Sequence, residues 1–340
     1  MDIIVDIGGC DTPEKMIGGA LAAAKQHPDY RIVIVGDGAL IEKYPDIGGA
    51  PNLFVENAPD VITNDDSPTH AIRQKPNSSL VKAIDILKNN DDAIGLVSGG
   101  STGAVLTAAT LLIGRMKGVL RPVLASPGMP TAVEGKALCV ADCGANVDSK
   151  PEFLAQFALM ASAYVKAVFG VANPTVGLLS VGTENKKGDE RTKAAFELIK
   201  NLPLNFVGNM EARYALTGDY DVIISDGFAG NVLIKSIEGT AKMVMGQVKG
   251  AIKSSARSKL GALFMKKELK GLKSRMDYHV YGGAAFLGVN KLVVKTHGSS
   301  NEVSTAASIN NIIKMYEHNL IDEINRAVTE YNTTLAAENA

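Results

Sequence analysis

Residues 94–108 read IGLVSGGSTGAVLTA, and the rest of the chain repeats their pattern. A short apolar run comes first, a glycine- and hydroxyl-rich turn follows at 99–103, and a helix-forming run comes after the turn. Apolar runs without polar alternation are typical of strands that are buried on both faces of a parallel sheet. We therefore interpret the stretch as one strand–turn–helix unit.

Similar units alternate along the chain and predict a doubly wound α/β fold with a mostly parallel sheet. Their order favours a single domain over residues 1–333, followed by a tail at 334–340. The predicted strands are 3–6, 31–35, 53–55, 94–97, 123–125, 137–141, 176–181, 205–208, 222–225 and 292–295. The predicted helices include 14–24, 79–88, 152–168, 190–199 and 304–332.

The composition is that of a soluble globular protein, with 46% hydrophobic and 21% charged residues and a net charge of -1. This balance argues against nucleic acid as the main partner. We find neither a signal peptide nor an apolar run of ~18 residues that would span a membrane, and expect a cytoplasmic protein. The histidines are scattered and the three cysteines lack a C-x-x-C spacing, so we expect no metal and no cofactor.

The turn at 99–103 has the form G-x-S-x-G, which permits two interpretations. It is the form of a nucleophile elbow, with Ser101 as the attacking residue of a serine hydrolase. Asp226 and His297 would then complete a triad in a permitted chain order. It is equally the form of a turn whose backbone N–H groups receive an anion.

Other polar clusters also follow predicted strands or precede predicted helices. Lys75, Ser78 and Ser79 lie just before one helix, and Asn231 and Lys235 lie four residues apart on another. The stretch KTHGSS, residues 295–300, places a histidine at a strand end. Because ligands of open parallel sheets bind outside the carboxyl ends of the strands, these clusters predict a crevice for a phosphate-bearing or extended polar ligand.

Residues 249–275 carry nine basic residues and one acidic residue. The spacing of Lys249, Lys253 and Arg257 predicts one basic helical stripe, and Lys266, Lys270 and Lys273 predict a second. The segment is predicted to be a helical hairpin at about 240–280, suited to an anionic membrane surface. Its predicted contact residues are Lys253, Arg257, Lys259, Leu260, Leu263, Phe264, Lys266 and Lys270.

Four long stretches resemble bacterial phosphate acyltransferases of the PlsX family. The resemblance runs in order over residues 1–333, and its strongest stretches are VEGKALCVADCGANVDSKPEFLAQFALMASAY, VGLLSVGTENKKGDE, FVGNMEARYALTGDYDVIISDGFAGNVLIKSIEG and YGGAAFLGVNKLVVKTHGSS. It implies a fold similar to isocitrate and isopropylmalate dehydrogenases and to phosphotransacetylase, assembled as a homodimer. It also implies the reaction of acyl-[acyl-carrier-protein] (acyl-ACP) with inorganic phosphate to give acyl phosphate and free ACP.

The resemblance further implies peripheral membrane association and delivery of acyl phosphate to a membrane glycerol-3-phosphate acyltransferase. On this interpretation the basic hairpin also attracts the acidic carrier protein. The predicted phosphate contacts are Lys75, Ser78, Ser79, Ser101, Thr102 and Gly103. The residues predicted to position the thioester and stabilise its oxyanion are Asn209, Asp226, Asn231, Lys235, His297 and Lys186.

The chain departs from the family pattern at three places. The family's opening motif is one residue shorter here, around Cys10. Ser101 and Ser180 stand where the family usually has asparagine. Since relatives work with asparagine at position 101, the resemblance favours an anion site over a nucleophile there.

Three other functions remain as alternatives. One is a phosphate acetyl- or butyryltransferase that uses acyl-coenzyme A. Another is the serine hydrolase with Ser101 as nucleophile. The third is a non-catalytic scaffold that binds ACP or a membrane.

Overall fold

The computed structural model describes residues 1–298 and 300–338, without the side chains at 273, 275 and 336–338. Twelve strands in this part of the chain join into one sheet. They are β1 Asp2–Asp6, β2 Arg31–Gly36, β3 Leu53–Asn57, β4 Ala93–Ser98, β5 Val123–Ala125, β6 Met129–Pro130, β7 Ala137–Ala141, β8 Thr175–Leu179, β9 Asn205–Met210, β10 Val222–Ile224, β11 Ala284–Leu287 and β12 Leu292–Lys295.

Helices connect the strands and cover both faces of the sheet. They are α1 Pro13–Gln26, α2 Gly38–Glu42, α3 Pro68–Gln74, α4 Ser79–Asn89, α5 Thr102–Ala108, α6 Pro151–Phe169, α7 Glu190–Lys200, α8 Gly227–Lys253, α9 Ala256–Phe264, α10 Lys266–Arg275, α11 Glu302–Glu317 and α12 Leu320–Glu338. Short 3₁₀ helices lie at Ile47–Gly49, Ala212–Tyr214 and Tyr278–Tyr281, and a π-helical turn follows α5 at Ala109–Ile113.

The strand order is β3-β2-β1-β4-β12-β11-β5-β7-β10-β8-β9, and β6 pairs with β7. The five strands from β3 to β12 are parallel to one another, and so are the four strands from β7 to β9. Antiparallel pairing through β11 and β5 joins the two parallel blocks. The prediction of a doubly wound, mostly parallel α/β fold is confirmed.

The core consists of two apolar clusters, one on each face of the sheet. Because side chains alternate along a strand, Ile3 and Val5 of β1 enter one cluster and Ile4 enters the other. The first cluster includes α1, α6, α11 and α12, and the second includes α4 and α5. Helices therefore cover both faces of the sheet and shield its inner strands from solvent. This burial explains the continuous apolar runs in the sequence.

Helix α6 is the central helix of the first cluster. It is the one helix among the described residues that is long and apolar enough to cross a membrane, but 72% of that window is buried inside the protein. Phe157 and Tyr164 are fully buried on it. Its apolar character is therefore that of a core helix.

The structure differs from the predicted elements in two ways. The sequence patterns missed β6 and β11, which are two and four residues long. The helix predicted over 304–332 is two helices, because the chain turns at Asn319 with a φ of 50° between α11 and α12. Helix α12 then runs to Glu338, beyond the domain boundary expected at residue 333.

The basic segment forms the end of a helical hairpin built from α8, α9 and α10. At the predicted apolar tip, Leu260, Leu263 and Phe264 are 56%, 63% and 80% exposed. The predicted continuous stripe through Lys253 and Arg257 is wrong. Helix α8 ends at Lys253, and Ser255 caps a new helix by accepting a hydrogen bond from the Ser258 N–H.

The first turn of α8 is seated tightly on the turn that follows β7. A Cβ atom at Gly227 would lie 2.7 Å from the Asn146 carbonyl oxygen, and one at Gly230 would lie 1.9 Å from the Asp142 carbonyl oxygen. Asp226 caps the helix by accepting a hydrogen bond of 2.7 Å from the Ala229 N–H. These contacts fix where α8 starts, and therefore where its later residues lie.

Gly230→Ala is expected to destabilise the protein by ~1–3 kcal/mol, because the added methyl group overpacks this seat. The matched control is Gly239→Ala on the same helix, where an added Cβ has no neighbour within 4 Å. That change is expected to stabilise by ~0.5–1 kcal/mol through helix propensity. Urea unfolding measures both values, and equal stability of the two variants would contradict the tight seat.

Candidate active site

A cleft of about 1230 Å³ lies beside the junction of the two parallel blocks. The first block contributes the turns after β1, β4 and β12, including Gly9, Gly99 and His297. The second contributes Cys143 and Gly144 after β7, and α8 forms one wall. The cleft is therefore the crevice that the strand ends predicted.

Five of the residues predicted for the site line this cleft. They are Ser101, Thr102, Asn231, Lys235 and His297. Asn231 donates a hydrogen bond of 3.3 Å from its amide nitrogen to the Cys143 carbonyl oxygen. The ammonium group of Lys235 lies 2.8 Å from the Glu238 carboxylate, and the lysine side chain is half exposed. The structure thus gathers a hydroxyl-rich turn, an amide, a cation and an imidazole around one volume.

Ser101 occupies the N-cap position of α5. Its hydroxyl oxygen accepts a hydrogen bond of 3.2 Å from the Ala104 N–H. This is the helix-cap geometry that the sequence favoured over an elbow. The hydroxyl can still donate its own hydrogen into the cleft.

His297 is half-buried and lies near several lysines. Burial lowers the pKa of His297 below its usual 6.5, and the positive charge of Lys235 lowers it further. The imidazole is therefore neutral at neutral pH, and in that state one ring nitrogen is a donor and the other an acceptor.

Lys295 is a cleft residue that the sequence reasoning did not select. It ends β12, is only 8% exposed, and lines the cleft next to His297. Burial lowers the pKa of Lys295 to about 8, although the nearby charge of Asp6 opposes the shift. The available signal was a lysine that closes an otherwise apolar strand, LVVK.

Lys295 belongs to a row of polar residues at three adjacent strand ends. In the strand register Asp6 is paired with Ser98, and Ser98 with Lys295. The Ser98 hydroxyl donates a hydrogen bond of 2.6 Å to the Asp6 carboxylate, and the Gly8 N–H donates one of 3.0 Å. Burial nevertheless raises the pKa of Asp6. The row forms a polar floor below the cleft.

Three residues predicted to act on the thioester lie outside the described cleft lining. The Asp226 carboxylate is 2.5 Å from Arg191 and caps α8, so its oxygens are engaged. Asn209 donates a hydrogen bond of 2.8 Å to the Glu184 carbonyl oxygen and so holds the loop after β8. Lys186 is exposed on that loop. Asp226 and Asn209 have structural partners because strand-end polar groups also cap helices and brace loops.

Four predicted phosphate contacts also lie outside the described lining. Lys75 donates to the Asp66 carboxylate at 2.7 Å and to the Val61 carbonyl oxygen, which fixes the loop at the rim of the cleft. The hydrogen bond from Lys75 lowers the pKa of Asp66 to about 2. Ser78 and Ser79 are buried, while Gly103 is exposed.

The triad of the hydrolase interpretation is not assembled. Asp226 faces Arg191 and the first turn of α8, whereas Ser101 and His297 line the cleft. No group of three or more histidine, cysteine, aspartate or glutamate residues within 1–298 and 300–338 could hold a metal ion.

The fold is similar to that of a phosphotransacetylase from Streptococcus pyogenes, with a TM-score of 0.57 and 18% sequence identity over 92% of this chain and 94% of that one. At this level of identity the likeness concerns the fold alone. It confirms the expected similarity to phosphotransacetylases.

Sequence comparison identifies much nearer relatives. A family model described as "Fatty acid synthesis protein" matches residues 1–323. A phosphate acyltransferase from Clostridium acetobutylicum is 43% identical over 98% of this chain and 100% of its own length. One from Brevibacillus brevis is 45% identical over 89% of this chain and 90% of its own length. The chain therefore belongs to the fatty acid synthesis protein family that includes these phosphate acyltransferases, and it is an acyltransferase.

Proposed function

We propose that the cleft transfers the acyl group of acyl-ACP to inorganic phosphate, giving acyl phosphate and free ACP for phospholipid synthesis. The observation that carries this proposal is the content of the cleft. Lys235, Lys295, Asn231 and neutral His297 line one volume, and the serine at its edge caps a helix. Such a site suits an anionic nucleophile and a developing oxyanion.

The reaction needs no covalent enzyme intermediate. A phosphate oxygen of HPO₄²⁻ forms a bond to the thioester carbonyl carbon, the C–S bond then breaks, and the proton of the phosphate ends on the leaving thiol. Holding the two reactants in the reactive geometry can lower the activation barrier by ~7–11 kcal/mol. A donor aimed at the developing oxyanion contributes ~2.7–4 kcal/mol.

The charge of each cleft residue determines which reactant it is suited to bind. Lys295 and Lys235 attract the phosphate, and Ser101 and Thr102 offer hydroxyl donors beside it. Asn231 and His297 are suited to the carbonyl oxygen, since each carries an N–H and neither adds a full charge. Asp226 acts indirectly, because it caps α8, the helix that presents Asn231 and Lys235.

The charge and the exposed apolar residues of the hairpin indicate which partners it would bind. Its cations suit the acidic carrier protein, and its exposed tip suits an anionic membrane surface. We further propose a cytoplasmic homodimer that binds the membrane peripherally and supplies a membrane glycerol-3-phosphate acyltransferase. The phosphotransacetylase-like fold makes acyl-coenzyme A the competing donor.

Incubation with phosphate and either palmitoyl-ACP or palmitoyl-coenzyme A tests the donor. We expect acyl phosphate, trapped as the hydroxamate by hydroxylamine, to form faster from palmitoyl-ACP. Equal or faster reaction with the coenzyme A thioester would favour the alternative donor, and no hydroxamate from either would contradict the function.

The same assay separates acyl transfer from a serine hydrolase. Ser101→Ala is expected to retain measurable transfer, and a fluorophosphonate is expected not to label the native protein. Labelling at Ser101 together with complete loss of turnover in the variant would establish a serine nucleophile instead.

Lys295 is expected to make phosphate binding depend on pH. Because its pKa is lowered to about 8, the ammonium charge is present at neutral pH and is lost as pH rises through that value. The KM for phosphate should therefore rise above about pH 8. Lys295→Met should raise the KM for phosphate about tenfold or more at neutral pH. A hydrogen bond to a charged group contributes ~1.5–3 kcal/mol to binding, and this contribution would be lost.

Lys295→Arg is the matched variant, because arginine keeps its charge at high pH. Its KM for phosphate should stay flat where the native value rises. Thermal unfolding shows whether each variant is folded, and native-like phosphate kinetics in a folded Lys295→Met protein would remove Lys295 from the site.

The hairpin tip is expected to bind anionic vesicles reversibly and in a salt-sensitive way. Changing Leu260, Leu263 and Phe264 to Glu should abolish sedimentation with the vesicles, because apolar contact is lost and negative charge is added. The control changes the exposed loop residues Val133, Val147 and Val181 to Glu.

If the tip variant still sediments, the tip is not the anchor. If it sediments normally but fails with acyl-ACP, the hairpin docks the carrier protein.

A further inference from the structure

The ammonium group of Lys295 makes hydrogen bonds to neutral acceptors. It donates to the Thr296 carbonyl oxygen and, at 3.5 Å, to the Gly99 carbonyl oxygen. A carbonyl dipole stabilises a cation but does not balance its charge. Because the Lys295 side chain is buried, the loss of hydration favours its neutral amine form. A nearby negative charge therefore decides how far into the neutral pH range Lys295 stays protonated.

Three acidic groups act on Lys295 from β1 and the turn that follows it. They are the Asp6 carboxyl, the Cys10 thiol and the Asp11 carboxyl. Burial raises the pKa of Cys10 to about 11, so this thiol carries no charge at neutral pH. Asp11 is exposed, and water and salt screen its charge. Asp6 is fully buried and has the largest effect of the three.

The groups on the cleft side of Lys295 add no net negative charge. His297 is neutral at neutral pH, and the charge of Lys295 contributes to its lowered pKa. Lys235 and Glu238 on α8 lie 2.8 Å apart, so their charges offset each other. Asp6 is therefore the unscreened negative charge that acts on Lys295.

Hydrogen-bond donors favour the ionised form of Asp6. The Ser98 hydroxyl donates at 2.6 Å and the Gly8 N–H at 3.0 Å, and the Ser79 hydroxyl also hydrogen-bonds to the carboxylate. An ionised carboxylate only accepts hydrogen bonds, so these donors oppose the effect of burial on its pKa. Ser98 separates Asp6 from Lys295 in the strand register, and the Lys295 ammonium group contacts the residue after Ser98.

From this arrangement we propose that Asp6 is a positioning residue, whose buried charge keeps Lys295 protonated and so maintains the phosphate-binding cation of the cleft. The proposal rests on the proposed function and adds to it the residue that sets its pH range. Asp6 has no exposed surface, whereas Lys295 lines the cleft. Phosphate therefore meets the cation and not the carboxylate, and Asp6 acts only through Lys295.

Asp6→Asn tests this role, because the amide matches the carboxyl group in size but carries no charge. We call the pH at which the KM for phosphate begins to rise the onset pH. It should fall by roughly one unit in the variant, since a close opposite charge shifts a pKa by ~1–3 units. Initial rates of hydroxamate formation from palmitoyl-ACP, across neutral and mildly alkaline pH, measure the onset. Phosphate ionises identically in every assay, so a difference between variants belongs to the protein.

The matched control is Asp2→Asn, the same change in a buried residue at the opposite end of β1. Asp2 accepts a hydrogen bond from Asn90 and lies 3.6 Å from Arg31. The control thus reports the structural cost of removing a buried carboxylate from this strand. It should leave the onset pH at its native value. An unchanged onset in folded Asp6→Asn protein, or an equal shift in the control, would overturn the proposal.

A second substitution at position 295 separates charge from structure. Arginine keeps its charge without a nearby carboxylate. The KM for phosphate of Asp6→Asn/Lys295→Arg should therefore match that of Lys295→Arg alone at every pH. A purely structural role of Asp6 would raise the KM equally in both backgrounds, and that result would contradict the proposal.

If Asp6→Asn alone does not fold, its combination with Lys295→Met decides. Removing both groups leaves no uncompensated buried charge, so the double variant should recover a cooperative unfolding transition. A double variant that also fails to fold would overturn the proposal.

Failure of the proposed function has a different signature. If the native protein forms no acyl phosphate from either thioester, the reaction assignment falls. Urea unfolding then decides on the charge pair alone: Asp6→Asn should destabilise the Lys295→Met protein less than the native protein. Equal destabilisation of the two would show that Asp6 does not act on Lys295.

Discussion

The buried carboxylate of Asp6 is the constraint on which the structure below the cleft depends. It has no exposed surface, and the strand register puts it in line with Ser98 and Lys295. Burial raises its pKa, while hydrogen bonds from Ser98 and Gly8 and the charge of Lys295 oppose that shift. Removing one partner from such a buried set is costly, because it leaves an uncompensated polar group in a dry interior. Hydrogen bonds from the same residues hold the turns after β1 and β4. One group of residues therefore forms the polar floor of the cleft and also stabilises the first parallel block.

The sequence predicted the fold class well because the inner strands of both parallel blocks, such as β1, β4, β7 and β10, are buried on both faces. It missed β6 and β11 for a physical reason. A two-residue strand that contains Pro130 carries no periodic signal, and Ala284–Leu287 is stabilised by pairing with β5 and β12 rather than by its own pattern. The break between α11 and α12 was missed because Asn319 adopts a left-handed conformation inside a helical pattern, where asparagine is tolerated.

The site was only partly predictable, since a polar residue at a strand end has two possible uses. Ser101, Asn231, Lys235 and His297 line the cleft, but Asp226 pairs with Arg191 and caps α8, and Asn209 braces a loop. Sequence spacing does not separate these cases, because a capping carboxylate and a cleft-lining amide follow the same kind of strand. Lys295 was missed for the opposite reason. A charged residue that ends a buried strand looks like the start of a solvated turn, and only the register with Asp6 and Ser98 places it in the floor.

Helix α8 links the turn after β7 to the wall of the cleft. Its first turn is locked against the Asp142 and Asn146 backbone, where Gly227 and Gly230 leave no room for a side chain. The next turns present Asn231 and Lys235 to the cleft, and the turns after them present apolar residues to it, among them Ile237 and Met245. Positions along one rigid helix differ only by a fixed rise and rotation, so the contacts of the first turn determine where each of these side chains lies in the cleft. The positions of the amide and the ammonium group in the cleft are therefore set by the backbone contacts at the start of α8.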